Sequence, residues 1–179
     1  MLARRQAQLT ERSLEEQNER ARLTLEFDLF SRIGERLESP HWLNTRRAAA
    51  EYLLENAFEG NEVVEVTALN TAVWEVYNLF EEIGELLRLG VLRAETVANR
   101  SGARSEAYWT LCKPAIERYR GEWKMDALYE GFEYLGQRVV EVNRERDVSA
   151  LTQESIRGLL EDELGLVEEE PPPPQSEGG

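Results

Sequence analysis

Residues 67–90, TALNTAVWEVYNLFEEIGELLRLG, decide the fold. Leu69, Ala72, Val73, Val76, Phe80, Ile83 and Leu87 recur at spacings of three and four, an apolar stripe down one side of a helix that must be covered by other elements. Thr67 stands where a side chain can cap the first turn, and Gly90 where a left-handed residue ends a helix. At ~1.5 Å per residue the segment is roughly 35 Å long, the width of a small domain. It reads as a spine on which other helices lie.

On either side the pattern stays helical. Residues 3–22 carry charge on nearly every face, with Leu9, Leu14 and Ala21 as apolar contacts, so this part projects or waits for a partner. From Leu23 the apolar face widens through Leu25, Phe27, Leu29, Phe30, Ile33 and Leu37, and packing is expected there. Ser39-Pro40 stops one helix and starts the next, serine as cap and proline at the first position, where its missing N–H costs nothing. The second helix, about 40–57, turns Trp42, Leu43, Ala49, Ala50, Leu53, Leu54 and Ala57 inward, and Glu59-Gly60-Asn61 is a loop. Val63, Val64 and Val66 mimic a strand but have no second strand to pair with.

Beyond the spine, residues 93–99 suggest a short helix or turn and 103–121 a longer helix. The longer one carries Trp109, Cys112, Ile116, Tyr119 and Trp123 as a seam, a kink at Pro114 and an end at Gly121. The next helix, about 126–146 with Asp126 as cap, repeats the seam through Leu128, Phe132, Leu135, Val139 and Val142. Its glycines, Gly131 and Gly136, each cost about 1 kcal/mol against alanine, which points to close helix contact. Thr152 caps a last amphipathic helix carrying Ile156, Leu159, Leu160 and Leu164. The reading is an all-α bundle of five to six helices. A charged N-terminal extension covers 1–22, the bundle 23–148, a short C-terminal helix 149–166, and a disordered acidic, proline-rich tail 167–179.

Composition narrows the function classes. A net charge of −14 argues against nucleic acid or anionic lipid as the main partner. Half of that excess lies in residues 151–179, where eight acids face only Arg157. The single cysteine, Cys112, excludes an intramolecular disulfide and a multi-cysteine zinc site. No apolar run reaches signal-peptide or membrane-spanning length, so the expectation is a soluble cytoplasmic protein.

Three stretches share a family pattern: LTLEFDLFSRIGERLESPHWLNTRRAAAEYLLE, VYNLFEEIGELLRLGVL, and YWTLCKPAIERYR with LYEGFEYLGQRV. Together they resemble the bacterial DUF4760 family, a domain of unknown function, over roughly residues 23–142. Asn78, Phe80, Glu81, Gly84 and Gly90 carry the resemblance in the spine, and Trp109, Pro114, Arg120, Phe132 and Leu135 downstream. The resemblance implies an all-helical domain and supplies no activity. Many relatives look as if they begin with a membrane-spanning helix, whereas this chain has a charged segment there.

Candidate chemistry is sparse. Glu75, Glu81, Glu82 and Glu85 share the spine, but a carboxylate-bridged metal site also needs Glu-x-x-His pairs, and the one histidine, His41, lies outside any such motif. Cys112 sits in an aromatic seam without a basic partner. Arg100-Ser101-Gly102-Ala103 is a turn rather than a phosphate loop. No catalytic, cofactor-binding or metal-binding residue is assigned, and no cofactor is expected. Glu81 and Arg120 are placed to meet at the core edge if their helices pack, and Arg46-Arg47 is another basic spot, an ordinary exposed helix face, with an anion site or a docking patch as alternatives.

The function expected is non-catalytic protein binding or scaffolding, with Leu2, Leu9 and Leu14 offering a weak stripe to a partner or to a second copy. The alternatives are an acidic, antitoxin-like inhibitor that masks a basic partner through residues 151–179, docking on a membrane protein, and a carboxylate metal enzyme. Residues 171–174, four prolines, read as a stiff spacer.

Overall fold

A computed structural model describes residues 2–58 and 71–165. They form six helices and, among the described residues, no strand: α1 (Leu2–Leu37), α2 (Pro40–Ala57), α3 (Thr71–Arg88), α4 (Ala94–Trp123), α5 (Glu130–Glu145) and α6 (Gln153–Leu164). Following the main contacts, α2 packs on α3, α3 on α5, α5 on α4, α4 on α6, and α6 back on α2. Five helices thus close a ring around one core, and α1 lies against it from outside.

α3 is the spine that its sequence implies. Val73, Val76, Phe80, Ile83 and Leu87 are buried, and Tyr77, Leu79 and Gly84 join them. Phe132 of α5 sits at the centre, stacked on Phe80 at 5.1 Å, edge-on to Trp109 at 5.2 Å, and 5.9 Å from Tyr77. The helices approach closely because glycines face each other. A Cβ on Gly84 would lie 1.9 Å from the Gly131 carbonyl oxygen, and one on Gly136 would lie 2.7 Å from the Trp109 ring. The glycines of α5 mark close contact, as their sequence cost suggests.

Element boundaries divide into two kinds. α2 begins as read: Ser39 is extended, its hydroxyl accepts the Trp42 N–H, and Pro40 opens the helix. Four readings need correction. Residues 93–99 and 103–121 are not separate elements but one helix, α4, which runs straight through Arg100-Ser101-Gly102. Gly102 is buried there, with Val139 of α5 filling the space beside it. α4 ends not at Gly121 but at Trp123, where Lys124 takes the left-handed conformation and its N–H returns to the Arg120 carbonyl. α5 starts at Glu130 rather than after an Asp126 cap. The apolar face from Leu23 packs only in part: Phe30 is buried and Leu29, Ile33 and Leu37 half-buried, but Leu23, Leu25 and Phe27 are exposed, Phe27 by 63%.

Pro114 lies inside α4 without ending it. Both Pro114 and Thr110 are exposed, so water can satisfy the carbonyl that loses its helical partner. Trp123, assigned to the seam, is half-exposed and stacks on Tyr119 at 4.7 Å. The Thr67 cap, the 59–61 loop, the valines at 63–66 and the tail from 167 lie outside the described residues.

Candidate functional site

The chemistry of the molecule gathers where α1, α2 and α4 meet. Trp42, Arg46, Ala49, Ala50 and Leu53 lie on one stripe of α2, so Arg46 occupies a position that the periodicity reserves for an apolar residue. It is accordingly 9% exposed. Its charge is met by Glu163 of α6, itself 2% exposed, whose other oxygen accepts from Arg104 Nε at 2.6 Å. Arg46 Nη1 also donates to the Leu37 carbonyl at 3.3 Å, tying the end of α1 to α2. The basic spot read at Arg46-Arg47 therefore splits. Arg47 remains exposed, while Arg46 is a buried anion-binding residue whose anion comes from the chain's own last helix.

Around this cluster lies a pocket of about 390 Å³, walled by Phe30, Ile33 and Leu37 of α1, Leu43 of α2 and Arg100 of α4. A smaller cavity of about 40 Å³ shares its walls at Leu37, Arg46, Arg100, Ser101 and Arg104. It reaches inward to Trp42, Ile83 and Tyr108. The Tyr108 hydroxyl and Arg46 Nε are buried there with no hydrogen-bond partner among the described residues. Burial, with the Glu163 carboxylate nearby, pushes the Tyr108 hydroxyl pKa well above its ordinary range, so it stays protonated. Arg100 lies over the Phe30 ring at 5.5 Å and, among the described residues, has no carboxylate partner.

Two further carboxylates act at a distance along the chain. Glu26 of α1 accepts the Arg93 N–H at 3.0 Å and Arg93 Nε at 2.7 Å, at the first turn of α4. Glu81 of α3 accepts the Gly131 and Phe132 N–H groups at 3.2 and 2.7 Å, at the first turn of α5. Neither Arg93 nor Tyr129, the residues in the capping positions, supplies a side-chain cap. A carboxylate from another helix fills each role, at the positive end of the helix dipole. Glu81 and Arg120 do not pair. Both grip the start of α5, Arg120 by donating to the Leu128 carbonyl at 2.7 Å and to Glu133 at 2.6 Å.

The remaining acids of the spine are scattered. Glu75 meets Thr45 at 3.3 Å and the exposed His41 at 3.2 Å, Glu82 meets Arg36 at 3.0 Å, and Glu85 meets Arg88 at 3.1 Å. Among the described residues no three histidine, cysteine or acidic side chains converge in a way that could hold a metal ion. Cys112 is fully buried, and burial drives its thiol pKa far above the ordinary range. It has neither the thiolate nor the access that a nucleophile needs.

A domain of unknown function, DUF4760, matches residues 4–139. The chain belongs to the DUF4760 family. The match begins earlier than the sequence resemblance does, so most of the charged first half of α1 lies within the DUF4760 span. It ends inside α5, so α6 and its Glu163 lie beyond it. No curated protein and no solved structure matches the chain. No helix among the described residues is long and apolar enough to cross a membrane.

Sequence reasoning missed Glu26, Arg104 and Glu163. For two of these a signal exists: Glu26 shares a stripe with Phe30, Ile33 and Leu37, and Glu163 one with Ile156 and Leu160. An acid where the periodicity calls for an apolar side chain must be paired when the stripe is buried.

Proposed function

We propose that this DUF4760 domain is a non-catalytic helical scaffold of the bacterial cytoplasm that works by binding another protein. The observation that carries this reading is the incompletely covered α1. At 36 residues it is about 54 Å long. It is fastened to the body by Arg22, which donates to the Gly90 carbonyl at 3.1 Å, by Glu26, and by the buried Phe30. Next to these anchors Leu23 and Phe27, one turn apart, stand in solvent, and Leu14 and Leu25 are exposed on another face of the same helix. Exposed apolar residues at helical spacing on a projecting helix suit capture by a complementary groove or helix.

The test compares wild type with a Leu23→Glu/Phe27→Glu double variant as baits, using soluble and membrane fractions of the native host. The expected result is one partner retained by wild type at moderate salt and lost by the variant, with both baits melting within a few degrees of each other. Sedimentation of the bait alone identifies a second copy as the partner. If neither fraction yields a partner and the protein sediments as a monomer, the reading fails.

A further inference from the structure

The pocket between α1, α2 and α4 has a chemistry that protein binding does not use. Arg46, Arg100 and Arg104 face it, against Glu163 beneath and Glu38 on its rim. Glu163 accounts for Arg46 and Arg104, and among the described residues Arg100 has no carboxylate partner. Beside these charges, Arg46 Nε and the Tyr108 hydroxyl are buried donors without an acceptor. Buried polar atoms are nearly always paired, and among the described residues these two donors have no acceptor; Glu163 Oε2, which meets the Arg46 guanidinium, makes no hydrogen bond either, so the polar pairing of this cluster is incomplete. Apart from Ser101 the rest of the wall is apolar: Ile33 and Leu37 from α1, Leu43 from α2, and the Phe30 ring under Arg100. The volume, about 390 Å³, falls in the range of small-molecule sites.

We propose that this pocket binds an amphiphilic anion, a carboxylate or phosphate head on a short apolar tail. The head sits among Arg46, Arg100 and Arg104, where the pocket shares its walls with the smaller cavity that Tyr108 lines, and the tail lies along Ile33, Leu37 and Leu43. Glu163 shows the recognition in the protein's own terms, since the same arginines already hold one carboxylate from two sides. The site stands independently of the exposed face of α1, because its walls are the inward side of that helix.

Calorimetric titration of the full-length protein tests this with four probes: octanoate, octyl phosphate, octanol and inorganic phosphate. Both amphiphilic anions bind, while octanol, lacking charge, and inorganic phosphate, lacking the tail, bind at least about tenfold more weakly. Arg100→Gln removes the uncommitted cation and weakens octanoate by about tenfold or more. Gly34→Leu fills the pocket from α1, where an added Cβ meets nothing within 4 Å, and abolishes binding. Neither change removes a hydrogen bond or ion pair among the described residues: Arg100→Gln gives up only its contact with the Phe30 ring, and Gly34→Leu gains helix propensity, so both variants stay folded, with melting temperatures within several degrees of wild type. The proposal is overturned if neither amphiphile binds, if binding survives either substitution, or if inorganic phosphate binds as tightly as octyl phosphate.

Discussion

At the scale of single residues, the tightest constraint is the approach of Gly84 to Gly131. Alanine at 84 would drive a methyl group to 1.9 Å from a backbone oxygen, and backbone cannot swing aside as a side chain can. Two helices must then separate, and Gly84→Ala is expected to destabilise by about 3 kcal/mol or more, at the upper end of overpacking costs. Gly34 is the control. It lies in α1 with open space where its Cβ would be, so Gly34→Ala should stabilise by roughly 0.5–1 kcal/mol through helix propensity alone. Denaturant midpoints of the two variants check both signs, and a stable Gly84→Ala protein would mean that the α3–α5 crossing is looser than described.

Among the elements, the helix starts separate what could be read locally from what could not. Ser39-Pro40 begins α2 with chemistry contained in adjacent residues, and its position is legible in the sequence. α5 begins at Glu130 because Glu81, on another helix, accepts its first N–H groups, and no local pattern shows that. Asp126 has the right side chain for a cap and stands too early. In α4, Gly102 looks like a break but is covered by Val139, so packing overrides the local preference for a turn. The Arg46 site was half legible: its basic pair stands out in the sequence, but its partner sits far along the chain on α6. Glu26, at the start of α4, gives a measurable signature. Burial raises its carboxyl pKa, but hydrogen bonds from the Arg93 backbone, Thr96 and the Arg93 guanidinium outweigh this and hold it below its ordinary value of 4.5. The folded state therefore binds this proton less readily than the unfolded chain. The contribution is fully present above pH 4.5 and is lost as pH falls through the lowered folded value. Urea titrations between pH 3 and 6 should show a fall in stability toward acid that is shallower in Glu26→Gln; parallel curves would remove Glu26 from the account.

For the whole molecule, α6 closes the ring through Ile156 and Leu160 and through a buried ion cluster. Removing one partner of such a cluster differs from replacing it. Glu163→Ala leaves Arg46 buried without its carboxylate and should cost about 3 kcal/mol, while Arg104, half-exposed, returns to water. Arg46→Met in the same chain removes the stranded charge, and most of the loss should return, since apolar packing often equals or exceeds a buried pair. Thermal unfolding of the single and double variants distinguishes these outcomes. An unrelieved loss in the double variant would mean that the arginine is needed for more than meeting Glu163.

The carboxylates that close the first turns of α4 and α5 from other helices also bear on how the chain finds its structure. A helix capped by its own sequence can flicker into existence alone, but α5 gains that help only once α3 has arrived, and α4 only once α1 has. The order of events is thus written between segments rather than within them. A fragment cut to contain α4 and α5 alone would lack both of these carboxylates along with its neighbours, and it should be far less helical than the same residues are in the whole domain.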